Sequence, residues 1–202
     1  MIAHWPLICF VLGVVSMLLV AGRIRHTRRR SAFARQLGGT YDSISGRIFI
    51  RKGDRLIEFT AVEKLNAYVP PPAISCSLKT TVQCDIIPKA PNPLRTLSAE
   101  NMPSKEVKLG PTAYMLKADT AERLAHLESL LHNSAFSLLF SSNTATTPRL
   151  QIYPLSTVAR GVKDNEESHA VLTELPMQLV SDPSIALRFI DAFNRVVDDI
   201  AR

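Results

Sequence analysis

The stretch ISCSLKTTVQCDI, residues 74–86, decides the class of fold. Its even positions hold Ile74, Cys76, Leu78, Thr80, Val82, Cys84 and Ile86; its odd positions hold Ser75, Ser77, Lys79, Thr81, Gln83 and Asp85. Successive side chains of a strand point to opposite faces, so this period of two marks a strand with one buried and one wetted face. The run is longer than an ordinary strand, and a bend near Thr80 is expected. A half-covered strand belongs to an antiparallel or mixed sheet covered on one side only.

The same alternation constrains the cysteines. Cys76 and Cys84 share a face but stand about 26 Å apart along an extended chain at roughly 3.3 Å per residue. A disulfide tolerates a Cα separation of about 7 Å at most, so the two do not pair unless the strand folds back at Lys79 to Thr81. Free thiols fit a reducing compartment. Both read as small buried hydrophobes, not as a metal site or a catalytic thiol.

Upstream, Ile48, Phe49 and Ile50 form one apolar run and Leu56, Ile57 and Phe59 another, with Lys52, Gly53 and Asp54 between them. Gly-Asp suits a two-residue hairpin turn that needs positive φ at its first position. Pro70, Pro71 and Pro72 follow Tyr68 and read as a stiff connection, with a polyproline II docking site as the alternative. Downstream, the segment 88–111 carries prolines at 88, 91, 93, 103 and 111 and reads as a Pro-rich loop, a length that is usually functional or disordered.

The carboxy-terminal half mixes helix and strand. Residues 111–117 suit a strand, and Asp119 with Glu122 has the spacing of a capping box ahead of a helix over 120–132. Leu124, Leu127 and Leu131 stripe that helix, and Asn133 marks its end. Phe136, Leu138, Leu139 and Phe140 form a second apolar run. It reads as a hairpin with Leu150 and Ile152, joined by a loop over 141–147. Pro176 leaves 170–180 ambiguous. In the last helix Asp182 or Ser181 caps and Pro183 enters the first turn, while Ile185, Phe189, Ile190, Phe193, Val196, Val197 and Ile200 make a continuous stripe. Arg188, Asp191, Arg195, Asp198, Asp199 and Arg202 lie off it and read as a wetted face. The predicted body is an α+β domain: an antiparallel or mixed sheet covered on one face by two amphipathic helices.

The amino terminus differs in kind. No Asp, Glu, Lys or Arg occurs before Arg23, and Leu7 to Ala21 is almost unbroken Leu, Ile, Phe, Val and Met. About 20 apolar residues at 1.5 Å rise span a bilayer core of about 30 Å. A cleavable signal peptide carries its positive charge ahead of the apolar run, whereas here the charge follows it. The organisation expected is a transmembrane anchor over 1–22, a basic juxtamembrane stalk over 23–37 and a cytoplasmic domain over 38–202. Lys and Arg beside a span stay on the cytoplasmic side, so the cluster Arg23, Arg25, Arg28, Arg29 and Arg30 predicts a single-pass protein of the plasma (inner) membrane with its amino terminus outside.

That cluster also accounts for the charge. The net charge is +6, and six of the 24 basic residues lie between Arg23 and Arg35, leaving 18 against 18 acidic residues in the body. A neutral body lacks the electrostatic footprint of a nucleic-acid binder. Searching for chemistry yields little. No phosphate-binding glycine loop, zinc-ligand spacing or nucleophile elbow occurs, so no catalytic, metal or cofactor-binding residue is assigned and no cofactor is expected. His126 and His132 lie about 240° apart around a helix, and Glu122 with His126 reads as helix-surface stabilisation. The expectation is a membrane-tethered binding domain, an accessory or scaffold component of a membrane protein assembly, whose partners are the bilayer and a membrane-associated protein. The alternative is a membrane-bound, hydrolase-like enzyme with dispersed catalytic groups, for which a polar pocket gathering His126, His169 or Cys84 with a carboxylate would be the sign.

Overall fold

A computed structural model describes residues 5–60, 71–89, 102–140, 146–154 and 167–202, apart from the side chains of residues 5–8 and 11. In chain order the elements are α1 (Trp5–Gln36), β1 (Gly39–Asp42), β2 (Arg47–Lys52), β3 (Arg55–Thr60), β4 (Ala73–Leu78), β5 (Cys84–Pro88), β6 (Ser104–Leu109) and β7 (Thr112–Ala118). Then follow α2 (Ala121–Ser129), α3 (Ser134–Phe140), β8 (Arg149–Pro154), β9 (Ser168–Thr173) and α4 (Pro183–Ala201). The strands form one sheet in the order β1-β2-β3-β4-β9-β8-β5-β7-β6, every described pair antiparallel.

The alternation over 74–86 becomes two strands, not one bent strand. β4 and β5 are separated in the sheet by β9 and β8, so residues 79–83 cross the ends of those strands. Ser168 secures the crossing: its buried hydroxyl accepts from the Val82 N–H at 2.8 Å and donates to the Val82 carbonyl at 2.9 Å. Val82 is buried and Thr80 exposed, so the parity survives the crossing at every even position but one. A buried residue inside a connection is what made two strands look continuous.

Register aligns the even positions into rows that build the core. One runs Ile50, Ile57, Cys76, Ala170, Ile152, Cys84, Ala118, and the next runs Ile48, Phe59, Ile74, Leu172, Leu150, Ile86, Leu116. All fourteen residues are buried. Cys76 and Cys84 are three strands apart in one row, and both are free. At roughly 4.8 Å between strands they stand about 14 Å from each other, closer than an extended chain implies and still too far to bridge.

The hairpin at Gly53 forms as the sequence implies: Lys52 pairs with Arg55 and Gly53 has φ 63. Elsewhere three expectations are corrected. The segment 88–111 is not all loop, since β6 occupies Ser104–Leu109 and turns through Gly110, φ 60, into β7; its middle, 90–101, lies outside the described residues, as do Tyr68 and Pro70. Residues 136–140 are helical in α3, so no hairpin joins them to β8. The spacing of two between Phe136 and Leu138 fits a strand and the spacings of three and four from Phe136 to Leu139 and Phe140 fit a helix, and the outcome follows from Asn133, whose side chain accepts from the Ala135 N–H and starts a helix there. Finally, Thr120 caps α2 in place of Asp119, accepting from the Arg123 N–H at 3.2 Å, while Asp119 pairs with the Arg123 guanidinium.

α4 is built as its pattern requires. Asp182 accepts from the Ser184 and Ile185 amides, Pro183 occupies the first turn, and Phe189, Ile190, Phe193, Val196, Val197 and Ile200 are buried together with Ala186 and Ala192, while Ile185 at the start of the stripe is only half-buried. Its charged face is not merely wetted. Asp191 pairs with Lys52 at 2.8 Å, Asp198 with Arg55 at 2.7 Å, and Asp199 accepts from Asn133 at 2.8 Å. α3 lies against α4, and Phe140 meets Tyr114 of β7 edge to face at 5.6 Å. Helix cover therefore comes from three carboxy-terminal helices, one more than the sequence pattern suggests, together with the end of α1.

α1 is continuous over 32 residues. Its last turns and the residue after them reach the core: Arg30, Ala34 and, just past the helix, Leu37 are buried, and the Phe33 ring stacks on Phe59 with centroids 6.4 Å apart. Ahead of them the described side chains are exposed, apart from the half-buried His26 and Thr27. Among the described residues no helix is long and apolar enough to cross a membrane.

Candidate functional site

A cleft of about 390 Å³ opens where β3 and β4 part. Those strands pair only from Ile57↔Cys76 to Thr60↔Ala73, which leaves Arg55 and Leu56 on one side splayed from Ser77 and Leu78 on the other. Glu58, Ser75, Ser77, Glu167 and His169 supply its polar lining, Cys76 and Leu78 its apolar lining, and Lys79 faces Asp54 across it at 3.6 Å. Of the residues proposed as the sign of an enzyme, His169 is here with carboxylates. His126 instead lines a separate groove beside Arg202 and bonds the Asp199 carbonyl at 2.7 Å, and Cys84 is in the core.

The chemistry of the cleft is muted. Burial lowers the pKa of His169, Glu58 opposes that shift and Arg47 adds to it, so the imidazole is neutral at pH 7. Its ring lies 5.8 Å from that of Tyr153, its cross-strand neighbour. Glu58 is engaged by both oxygens with the Arg47 guanidinium at 2.8 and 2.9 Å. Burial pushes the Cys76 thiol up to about 12, and burial raises Cys84 further, so neither is a thiolate near neutrality. No described hydrogen bond joins His169 to Ser75, Ser77 or Cys76. A neutral, half-buried imidazole among serines and carboxylates is equipped to bind a polar ligand by hydrogen bonds. Among the described residues that line it, none is an activated nucleophile of the kind that acyl or phosphoryl transfer to the protein requires. Among the described residues no group of three His, Cys, Asp or Glu side chains is placed to hold a metal ion.

The cleft was not legible in the sequence, because it is made by the early end of one strand pairing, and a register has no signature in either strand alone. His169 stands out in the sequence, but nothing local to its segment places it beside Glu58 and Ser75. The basic cluster lies on α1: Arg23, Arg25, Arg28 and Arg29 are exposed, while Arg30 is buried on the side that faces the sheet. No known protein family, curated protein or solved structure matches the chain.

Proposed function

We propose that the protein is a single-pass membrane-anchored binding domain, an accessory or scaffold component of a membrane protein assembly, held at the plasma (inner) membrane with its amino terminus outside and its sheet domain cytoplasmic. One observation carries this reading. In α1, Phe10, Met17, Leu18 and Leu19 are each two-thirds or more exposed, and Leu12 and Val20 more than half. Residues 17–20 alone circle the helix at 3.6 residues per turn, so no single face is on offer to a sheet. Covering these side chains is worth on the order of 10 kcal/mol, comparable to the whole stability of a domain, about 5–15 kcal/mol. Lipid covers a helix on every side.

The described residues alone do not make up a span, so the reading draws on the uncharged sequence from Met1 to Gly22 as a whole and on the arginines that follow it. The muted cleft favours binding over catalysis, and confinement beside the bilayer raises the effective concentration of the domain toward other membrane proteins. The test is alkaline extraction of membranes from cells expressing the full chain, then copurification in mild detergent. Retention of the wild type in the pellet, and release of Leu18→Arg, which costs insertion about 3 kcal/mol, are the expected results. A wild-type chain that washes off overturns the anchor, and recovery of the chain alone in several detergents overturns the scaffold role.

A further inference from the structure

The junction of α1 with the sheet determines which end of the domain lies nearest the bilayer. Leu37 leads through Gly38, φ 70, to Gly39, which pairs with Ile50. Four residues back along α1, Phe33 stacks on Phe59, which pairs with Ile48. Passing from Leu37 toward Phe33 therefore passes from the Ile50 row to the Ile48 row, toward the turn between β1 and β2 and away from the hairpin at Gly53. Arg30 is the last buried residue on that path, His26 and Thr27 are half-buried, and Arg25, Ile24 and Arg23 are exposed.

The turn at this end displays an isoleucine. Ile44 is 96% exposed, the most exposed large hydrophobic side chain described. Its backbone is held in place: the Asp42 carboxylate accepts from the Ile44 N–H at 3.0 Å, the Ser45 N–H at 3.2 Å and the Ser45 hydroxyl at 2.6 Å, and the Gly46 N–H donates to the Asp42 carbonyl at 2.9 Å. Depth follows from the geometry of the two elements. The tip of the turn lies about 9 Å beyond the Ile48 row at roughly 3.3 Å per strand residue. The same distance along α1 from Phe33, at about 1.5 Å per residue, reaches the level of Thr27, about 6 Å short of Arg23. The headgroup region adds about 5–7 Å on each side of the hydrocarbon core.

We propose that the β1–β2 turn is a second membrane contact: Ile44 enters the headgroup layer of the leaflet that α1 leaves, while Arg23, Arg25, Arg28 and Arg29 engage its anionic phosphates. The unbroken helix and its docked end then hold the domain at one orientation, with the cleft at Asp54 turned away from the bilayer. This rests on the anchor reading, and its partner is an anionic lipid surface.

The test uses the full chain carrying Cys9→Ser with either Ile44→Cys or Asp54→Cys, each labelled with an environment-sensitive fluorophore and reconstituted into vesicles of phosphatidylcholine and phosphatidylglycerol. Cys76 and Cys84 are buried and stay out of the labelling. The expected result is a blue shift, with quenching by a headgroup nitroxide lipid, at position 44 and neither effect at 54. Equal water exposure at both positions, in protein that floats with the vesicles, overturns the contact and leaves the anchor standing. A blue shift at 44 without nitroxide quenching assigns Ile44 to a protein interface and also overturns it. Failure to float overturns the anchor reading and the contact with it.

Discussion

α4 repeats its apolar residues at helical spacing and buries eight of them against the sheet and α3, whereas α1 places Phe10, Leu12, Met17, Leu18, Leu19 and Val20 on all sides and exposes every one. The residue types are nearly the same. What differs is the interval between them: a sided helix suits a boundary between core and water, and in the anchor reading proposed above the unsided one meets lipid, which is apolar all round. Only in its last turns does α1 become sided, and there it joins the core through Phe33 and Ala34, with Leu37 just past its end.

The comparison breaks most visibly at Phe193. This side chain is fully buried in α4, and Phe193→Ala is expected to cost the domain about 3–5 kcal/mol of unfolding free energy, read from the denaturant midpoint of the full chain in detergent. Leu18→Ala in α1 is expected to leave the same midpoint within about 0.5 kcal/mol. A large effect at Leu18 would mean that the apolar stretch packs on the domain after all. Phe33→Ala probes the boundary between the two regimes. Its ring is half-buried and stacked on Phe59, so a loss of about 2 kcal/mol is expected, between the other two substitutions. A neutral result there would show the junction to be a loose tether, and the fixed orientation inferred from it would go.

Legibility followed the reach of each signal. Where one segment carries its own signal, the sequence reading matched the structure: the Gly53 turn, the stripe and cap of α4, and β7 all depend on residues close together in the chain. Where the outcome depends on a distant partner, it did not. The run over 74–86 looked like a single strand because Val82 is buried by a crossing that Ser168, in a strand far along the chain, holds in place. Phe136 to Phe140 is a mixed case: the start of the helix is local, at Asn133, but the partner of its aromatic face, Tyr114, lies in another element. The aspartates of α4 looked like solvated surface because Lys52, Arg55 and Asn133 reach them from other elements. The cleft is the extreme case, since it exists only where one strand pairing stops short.

The smallest expected effect comes from the sheet face that α4 does not cover. His169 is half-buried there, and its pKa is lowered from the ordinary 6.5, chiefly by desolvation. Between that lowered value and 6.5 the unfolded chain binds more protons than the folded one, so folding stability is full above about pH 6.5 and falls as the pH drops through this window. His169→Gln removes the group and is expected to flatten that part of the profile, seen as a smaller loss of denaturant midpoint between about pH 7 and pH 5.5 than in the wild type. Glu58 raises the histidine and would hold it charged if it dominated, yet its two oxygens are occupied by Arg47. Replacing Arg47 with Gln frees that carboxylate to face His169 and withdraws a cation that lowers its pKa. The double prediction is therefore a weaker acid dependence in both variants, by deletion of the titrating group in one and by relief of its unfavourable charging in the other. An unchanged profile in both would show that this face of the sheet is as wet as the alternation over 74–86 first implied, and that solvent, not the protein, sets the protonation of the cleft.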